Sequence, residues 1–170
     1  MKTTTEKRTT YSCKTVDSPV GKLKLVANDR GLAAILWEND NPKRVQLSPL
    51  AEIKDHPVLL ETERQLNEYF AGKRERFTVK FDFKGTEFQQ EVWQALATIP
   101  FGETLSYGAI ARQIGRPKAV RAVGAAIGRN PISIIVPCHR VIGFNGQLTG
   151  FAGGLETKAS LLRIESEKQQ

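Results

Sequence analysis

The sequence predicts an α+β fold in two units: a small α/β unit over residues 1–84 and a helix-turn-helix unit over residues 85–170. Three observations carry that reading. Apolar runs at 11–16, 22–27 and 32–37 are separated by the turn signals Asp17-Ser18-Pro19 and Asn28-Asp29-Arg30-Gly31. Phe77, Val79, Phe81 and Phe83 alternate with Thr78, Lys80 and Asp82, the pattern of a half-buried strand. Between Ser106 and Arg129, two short helical stretches flank a tight turn at Gly115.

In chain order, the three N-terminal runs read as an antiparallel meander. Residues 40–55 lack periodicity and read as loop. Pro57 suits a first helical position and Gly72 a C-terminal stop. Between them Leu59, Thr62, Leu66, Tyr69 and Phe70 mark one helical face. Thr86 and Gln89 have capping-box spacing, and Phe88, Val92, Trp93 and Leu96 line the helix that follows. Ser106 caps a short helix ending at Gly115, and Pro117 starts another that runs to about Arg129. Ile132 to Val136 is β-branched and apolar, a buried strand or extended segment. Val141 to Gly154 is a Gly-rich loop with room for a wing, and Leu155 to Glu167 is a last helix.

The chain has 170 residues, 40 % of them hydrophobic, enough for a packed core. No apolar run reaches the roughly 20 residues needed to span a bilayer. Met1 to Lys14 is polar and Thr-rich, unlike a secretory signal, so a soluble cytoplasmic protein is expected. Its two cysteines, Cys13 and Cys138, then default to free thiols. Two histidines and no Cys-x-x-Cys make a tetrahedral zinc site an unsuitable reading, and no metal is expected. Cys13 and His56 read as structural.

The net charge is +7 and its distribution is uneven. No Asp or Glu occurs from Thr104 to Leu155, whereas Arg112, Arg116, Lys118, Arg121, Arg129 and Arg140 do. A basic face is often only solvated. One that coincides with a helix-turn-helix points to phosphate binding. The second helix of that motif carries Arg121 and then mostly small residues, Ala122 to Gly128. A sequence-reading helix normally offers polar side chains to base edges. This one suits close approach by shape and phosphate contact in the minor groove, or tight internal packing, and both can hold on different faces.

The chemistry concentrates in Pro137-Cys138-His139-Arg140. A thiol beside an imidazole among positive charges favours thiolate. Adjacency alone is weak evidence, because neighbours on an extended chain point apart. On the last helix Lys158, Leu161, Leu162 and Glu165 share a face, so Glu165 lies on the inward stripe. A carboxylate there needs a partner. His139 would give a Glu–His–Cys order of orienter, base and nucleophile; an arginine or solvent are the other possibilities.

Pro137-Cys138-His139-Arg140-Val141, preceded by Gly128-Arg129-Asn130-Pro131 and followed by Phe151-Ala152-Gly153-Gly154-Leu155, resembles the O6-alkylguanine-DNA alkyltransferases. The likeness is strongest from Phe88 to Leu162 and includes Ile99 to Thr104 and Ser106-Tyr107-Gly108. Ser18-Pro19-Val20-Gly21 and Gly31-Leu32 are similar to the bacterial branch. The resemblance implies an N-terminal domain like ribonuclease H and a winged helix-turn-helix domain carrying the reactive Cys. It implies that Cys138 accepts the alkyl group, that His139 acts as base through a water, and that Glu165 holds its other nitrogen. Tyr107 would contact and protonate the flipped guanine, Asn130 would bond near the thiol, and Arg121 would fill the stack. The implied DNA face is Tyr107, Gly108, Arg116, Lys118, Arg121, Ala122, Gly124 and Arg140; the base pocket is Val141, Phe151, Ala152 and Gly153. Some family members carry zinc in the N-terminal domain, but this chain lacks the Cys and His for it. The implied partner is duplex DNA with an alkylated guanine, bound by a monomer without cofactor.

Extruding a guanine from the duplex costs about a few kcal/mol, which a stack-filling Arg121 would offset. The thioether product has no group to cleave it, so one event per molecule is expected. Three other readings compete. A lesion-binding sensor would lack the acceptor, which Cys138 argues against. A winged-helix regulator would need a polar reading helix, and a Cys hydrolase would need an oxyanion hole.

Overall fold

The computed structural model describes residues 10–48 and 50–167. The polar stretch before residue 10 lies outside them. Strands β1 (Tyr11–Val16), β2 (Leu23–Asn28) and β3 (Gly31–Trp37) form the antiparallel meander expected from the turn signals. A fourth strand, β4 (Leu50–Glu52), pairs parallel to β1 and gives the sheet order β3-β2-β1-β4. That strand corrects the reading of residues 40–55 as loop. It is three exposed residues long, too short to show a period.

Helix α1 (Pro57–Phe70) covers one sheet face. Pro57 begins it, and the His56 side chain caps it by accepting from Val58 N. Gly72, just past the end, has φ 76°, a conformation open to Gly without strain. Residues 77–83 run extended beside β3 but make only the single bridge Leu32↔Phe81, through Leu32 N→Lys80 O and Asp82 N→Leu32 O. The alternation correctly marks a half-buried chain; it does not make a ladder.

Helix α2 (Glu87–Leu96) has the full Thr86/Gln89 capping box. A short β5 (Leu105–Ser106) leads into α3 (Tyr107–Gln113), which Ser106 caps. Helix α4 (Val120–Gly128) begins three residues later than Pro117 suggested. Its Val123, Ala126 and Ile127 are buried, while Arg121, Ala122, Ala125 and Gly128 face solvent. The small residues therefore serve both close approach and internal packing, on opposite faces. Trp93 Nε1 donates to Ala126 O at 2.8 Å and ties α2 to α4.

Residues 132–136 are wholly buried but do not form a strand. Ile132 bridges Ile35, and the chain then doubles back with Ile135 N→Ser133 O at 2.9 Å around Ile134. Ile134 has φ 74°, costly for a β-branched side chain by about 1–3 kcal/mol. Apolar composition predicts burial alone and does not register this turn. A single turn of 3-10 helix, Cys138–Arg140, follows, then β6 (Val141–Ile142) and the last helix α5 (Leu155–Glu167). β6 pairs parallel to β5, so the wing is a two-residue parallel pair plus a tight turn.

The two units are not separate cores. One apolar cluster runs from Leu25, Ile35 and Leu59 through Trp93 and Leu96 to Ile132, Val136 and Leu161. Among the described residues, no helix is long and apolar enough to cross a membrane.

Candidate active site around Cys138

Cys138 sits where the doubled-back segment ends. It is 7 % exposed, and its backbone N bonds Val136 O at 2.8 Å. Both cysteines are free thiols. Cys138 lines a cavity of about 350 Å³ together with Tyr107, Gly124, Ile127, Asn130, Ser133, Phe151 and Ala152. Burial pushes the thiol above its usual range. A hydrogen bond to the Asn130 side chain, and the positive charges of Arg44 and Lys158, pull the other way. At rest Cys138 is a protonated thiol with cations placed to stabilise it once it ionises.

Asn130 is itself fixed. Its Nδ2 donates to Val136 O at 2.9 Å and its Oδ1 accepts from Ile132 N at 3.1 Å. One side chain thus pins both ends of the strained turn.

His139 is fully buried. Its Nε2 lies 2.6 Å from Glu165 Oε2, the pairing anticipated from the α5 stripe. Burial lowers the His139 pKa, against the upward pull of Glu165. Burial also drives the Glu165 pKa up, but the bonds and charges of His139 and Arg140 outweigh it and hold it at about 2. An ionised carboxylate cannot donate, so His139 carries its proton on Nε2. That leaves Nδ1 with a free lone pair, and Nδ1 has no protein partner among the described residues.

Glu165 receives more than His139. Arg140 Nε donates to Oε1 at 2.7 Å and Nη2 to Oε2 at 3.1 Å; Tyr69 OH donates to Oε2 at 2.6 Å and Gly102 N to Oε1 at 3.4 Å. The family resemblance puts Arg140 on the DNA face, and the structure corrects this. It is 5 % exposed, its Nη1 donates to Ile99 O at 2.5 Å, and its guanidinium lies 5.8 Å from the centre of the Phe101 ring. A charge this deep stays only where its counter-charge is, and that is Glu165.

Tyr107 lies at the cavity wall with its hydroxyl 2.5 Å from Thr149 Oγ1. A side chain at Gly124 would meet its ring at 3.7 Å, ordinary contact, so Gly124 leaves width without being sterically required. Phe151 and Ala152 line the cavity as the motif suggested. Gly153 has another duty: a Cβ there would meet the Trp37 ring at 2.8 Å. Val141 is buried and presents its carbonyl to Lys158 Nζ at 2.6 Å rather than lining the cavity.

Arg121, Lys118 and Ala122 are exposed on the helix-turn-helix surface, and Gly108 is half-buried in α3. Arg116 is also exposed, but leans over Phe88 and pairs with Glu91 at 3.6 Å.

Several residues that build the site were not picked out from the sequence. Lys158 is 1 % exposed and also reaches Thr149 O at 3.2 Å, clamping the wing to α5. Its place on the Glu165 stripe was a usable signal. Arg44 bonds Asn130 O and pairs with Asp40, while Trp37 Nε1 donates to Ser133 Oγ at 3.1 Å and its ring meets Phe151 edge-on. These partners, with Tyr69, come from the N-terminal unit, and nothing local in sequence marks them.

A helix-turn-helix in a basic stretch of chain without acidic residues, joined to a buried thiol backed by an imidazole–carboxylate pair, defines a class: DNA-binding proteins with a reactive cysteine. Comparison with known proteins narrows the class. The chain matches the family model described as 6-O-methylguanine DNA methyltransferase, DNA binding domain, over residues 87–167, and its ribonuclease-like domain over residues 9–83. The methylated-DNA–protein-cysteine methyltransferase of Mycobacterium tuberculosis (strain H37Rv) is 49 % identical over 157 residues, 91 % of this chain and 92 % of that one. The protein of the same name from Methanosarcina acetivorans is 49 % identical over 149 residues, 88 % and 94 % of the two chains. The crystal structure of Mycobacterium tuberculosis OGT in complex with DNA superposes with a TM-score of 0.84 at 46 % identity, covering 94 % of each chain. The chain belongs to the 6-O-methylguanine DNA methyltransferase family.

Proposed function

We propose that this protein repairs DNA by moving a methyl or other alkyl group from O6 of guanine to Cys138, once per molecule. The observation that carries the reading is the thiol lining a cavity of about 350 Å³, backed by His139 and Glu165. The lesion is inside the duplex, so the nucleotide is extruded into the cavity. The Cys138 S–H proton passes to His139 Nδ1 through a bridging water, and Glu165 stabilises the imidazolium. The thiolate attacks the alkyl carbon; the S–C bond forms as the C–O6 bond breaks. Guanine leaves with a proton from Tyr107 OH, whose loss the imidazolium proton makes good through solvent. Protons lost and gained balance, and no cofactor enters.

Arg121 fills the vacated stack, and the small outer face of α4 approaches the minor groove. Gly108, Arg116 and Lys118 serve phosphate binding with them, as residues 85–170 act and residues 1–84 support. Action on DNA fits a cytoplasmic location, at the nucleoid. A lesion sensor without transfer is disfavoured because it has no use for an activated acceptor.

The test is the mass of the protein after mixing with an oligonucleotide carrying one O6-methylguanine. One added CH₂ on the peptide containing Cys138, saturating at one per molecule, is expected. Cys138→Ala should show none while still retaining the lesion DNA. Transfer that survives in Cys138→Ala would sink the assignment.

A further inference from the structure

The wing carries an unexplained residue. Phe144 is 100 % exposed, and among the described residues it is the one aromatic side chain in full contact with solvent. It packs on nothing, although burial of a Phe is strongly favourable. Its turn is nevertheless well held. Gly143 N bonds Gln147 O at 2.8 Å, Gly146 N bonds Gly143 O at 2.9 Å, and Gln147 N bonds Asn145 Oδ1 at 3.2 Å. Gly146 supplies the φ of 82° that the turn requires. A fixed turn therefore holds an apolar ring outward.

Its position is fixed by the β5–β6 pair. Ser106 lies opposite Ile142, so the residues that follow each, Tyr107 at the start of α3 and Gly143 at the start of the turn, leave the pair side by side. Thr149 closes the link, since a Cβ at Gly143 would meet its methyl at 3.4 Å and its hydroxyl bonds Tyr107 OH. The turn that carries the ring thus starts beside Tyr107, which lines the Cys138 cavity, within the stretch that carries no acidic residue.

We infer that Phe144 is an apolar contact of the wing with DNA, lying in the groove against deoxyribose and base edges beside the extruded nucleotide. This rests on the alkyl-transfer reading of the site. A phenyl ring has no donor for phosphate, so its surface on DNA is the groove, where apolar side chains wedge against base steps. A stretch already opened by nucleotide extrusion offers that surface at the lowest cost. A turn fixed beforehand loses little conformational freedom on contact.

The test uses the full chain and a fluorescein-labelled duplex carrying one O6-methylguanine. Phe144→Ala should weaken duplex binding about tenfold, the order expected for removing one aromatic–base contact. The salt dependence should keep the wild-type slope, because no phosphate charge is neutralised by Phe. The melting temperature should not move. Phe144→Trp should keep wild-type affinity, and its emission should quench and shift on DNA beyond the change that wild type, with Trp37 and Trp93 alone, shows in the same titration. Phe144→Ala binding as tightly as wild type would overturn the inference. So would emission of the Phe144→Trp variant that changes in saturating DNA no more than that of wild type. A change in the sedimentation of the free Phe144→Ala protein would overturn it too, by making Phe144 a self-association contact. If wild type itself transfers no methyl group, the alkyl-transfer reading fails instead, and the two failures are told apart.

Discussion

Behind Cys138 the structure is closed and paired; in front of it the structure is open and unpaired. Glu165 accepts from Tyr69, His139, Arg140 and Gly102, and Arg140 Nη1 also donates to Ile99 O. Arg112, Lys118, Arg121 and Arg129, on the other side, make no ion pair among the described residues. The first arrangement resists change and sets protonation states. The second keeps its charge available to a polyanion. One short segment, residues 130–140, separates the two, so a single cysteine faces the open cavity while it is tuned from the buried side.

Variants on the two sides should fail differently, and the largest effect should come from behind. Glu165→Gln leaves the buried Arg140 without its counter-charge, at a cost of about 3–5 kcal/mol. It also leaves His139 without its anchor, slowing transfer by about 10²-fold. Denaturant unfolding beside single-turnover transfer checks both, and unchanged stability would erase the contrast between the two sides.

Acid should act next, and again from behind. His139 is held below its ordinary 6.5 and Glu165 below its ordinary 4.5, at about 2. In both cases the unfolded chain takes up protons before the folded one does, so stability must fall as pH falls. The loss should begin below about pH 6.5 through His139 and steepen below about 4.5 through Glu165, by about 1.4 kcal/mol per pH unit for each titrating group. Urea titrations across that range read it, and a flat profile down to pH 4.5 would mean His139 is not held neutral.

The smallest effect on the fold should come from the front. Arg121→Ala should leave stability within about 0.5 kcal/mol, yet weaken repair in duplex DNA more than in single-stranded DNA, which has no stack to fill. Equal losses on the two substrates would remove Arg121 from the stack-filling role.

How much of this was legible in the sequence follows the same divide. The open, basic side is local in sequence: caps at Thr86 and Ser106, the turn at Gly115, the charge asymmetry and the small residues of α4 all lie within a few residues of their effects. Helical spacing places Glu165 and Lys158 inward. The parts that were misread or missed depend on distant contacts. Arg140 looks like one more surface cation because the carboxylate that buries it is 25 residues away. Ile132 to Val136 is buried as its composition suggests, but the turn at Ile134 is held by Asn130, which no periodicity reports. Tyr69 and Trp37 reach Glu165 and Ser133 across 96 residues each, and the chain around them reads as ordinary core.

Those two separations bear on how the molecule is made. The N-terminal unit leaves the ribosome first, yet Tyr69 waits for Glu165, which at about 5–20 residues per second arrives some 5–20 s later. A nascent chain that has just released Cys138 still lacks the carboxylate that orients its imidazole. Cys138 therefore gains its buried support only when the last helix docks, after every other part of its surroundings has been made.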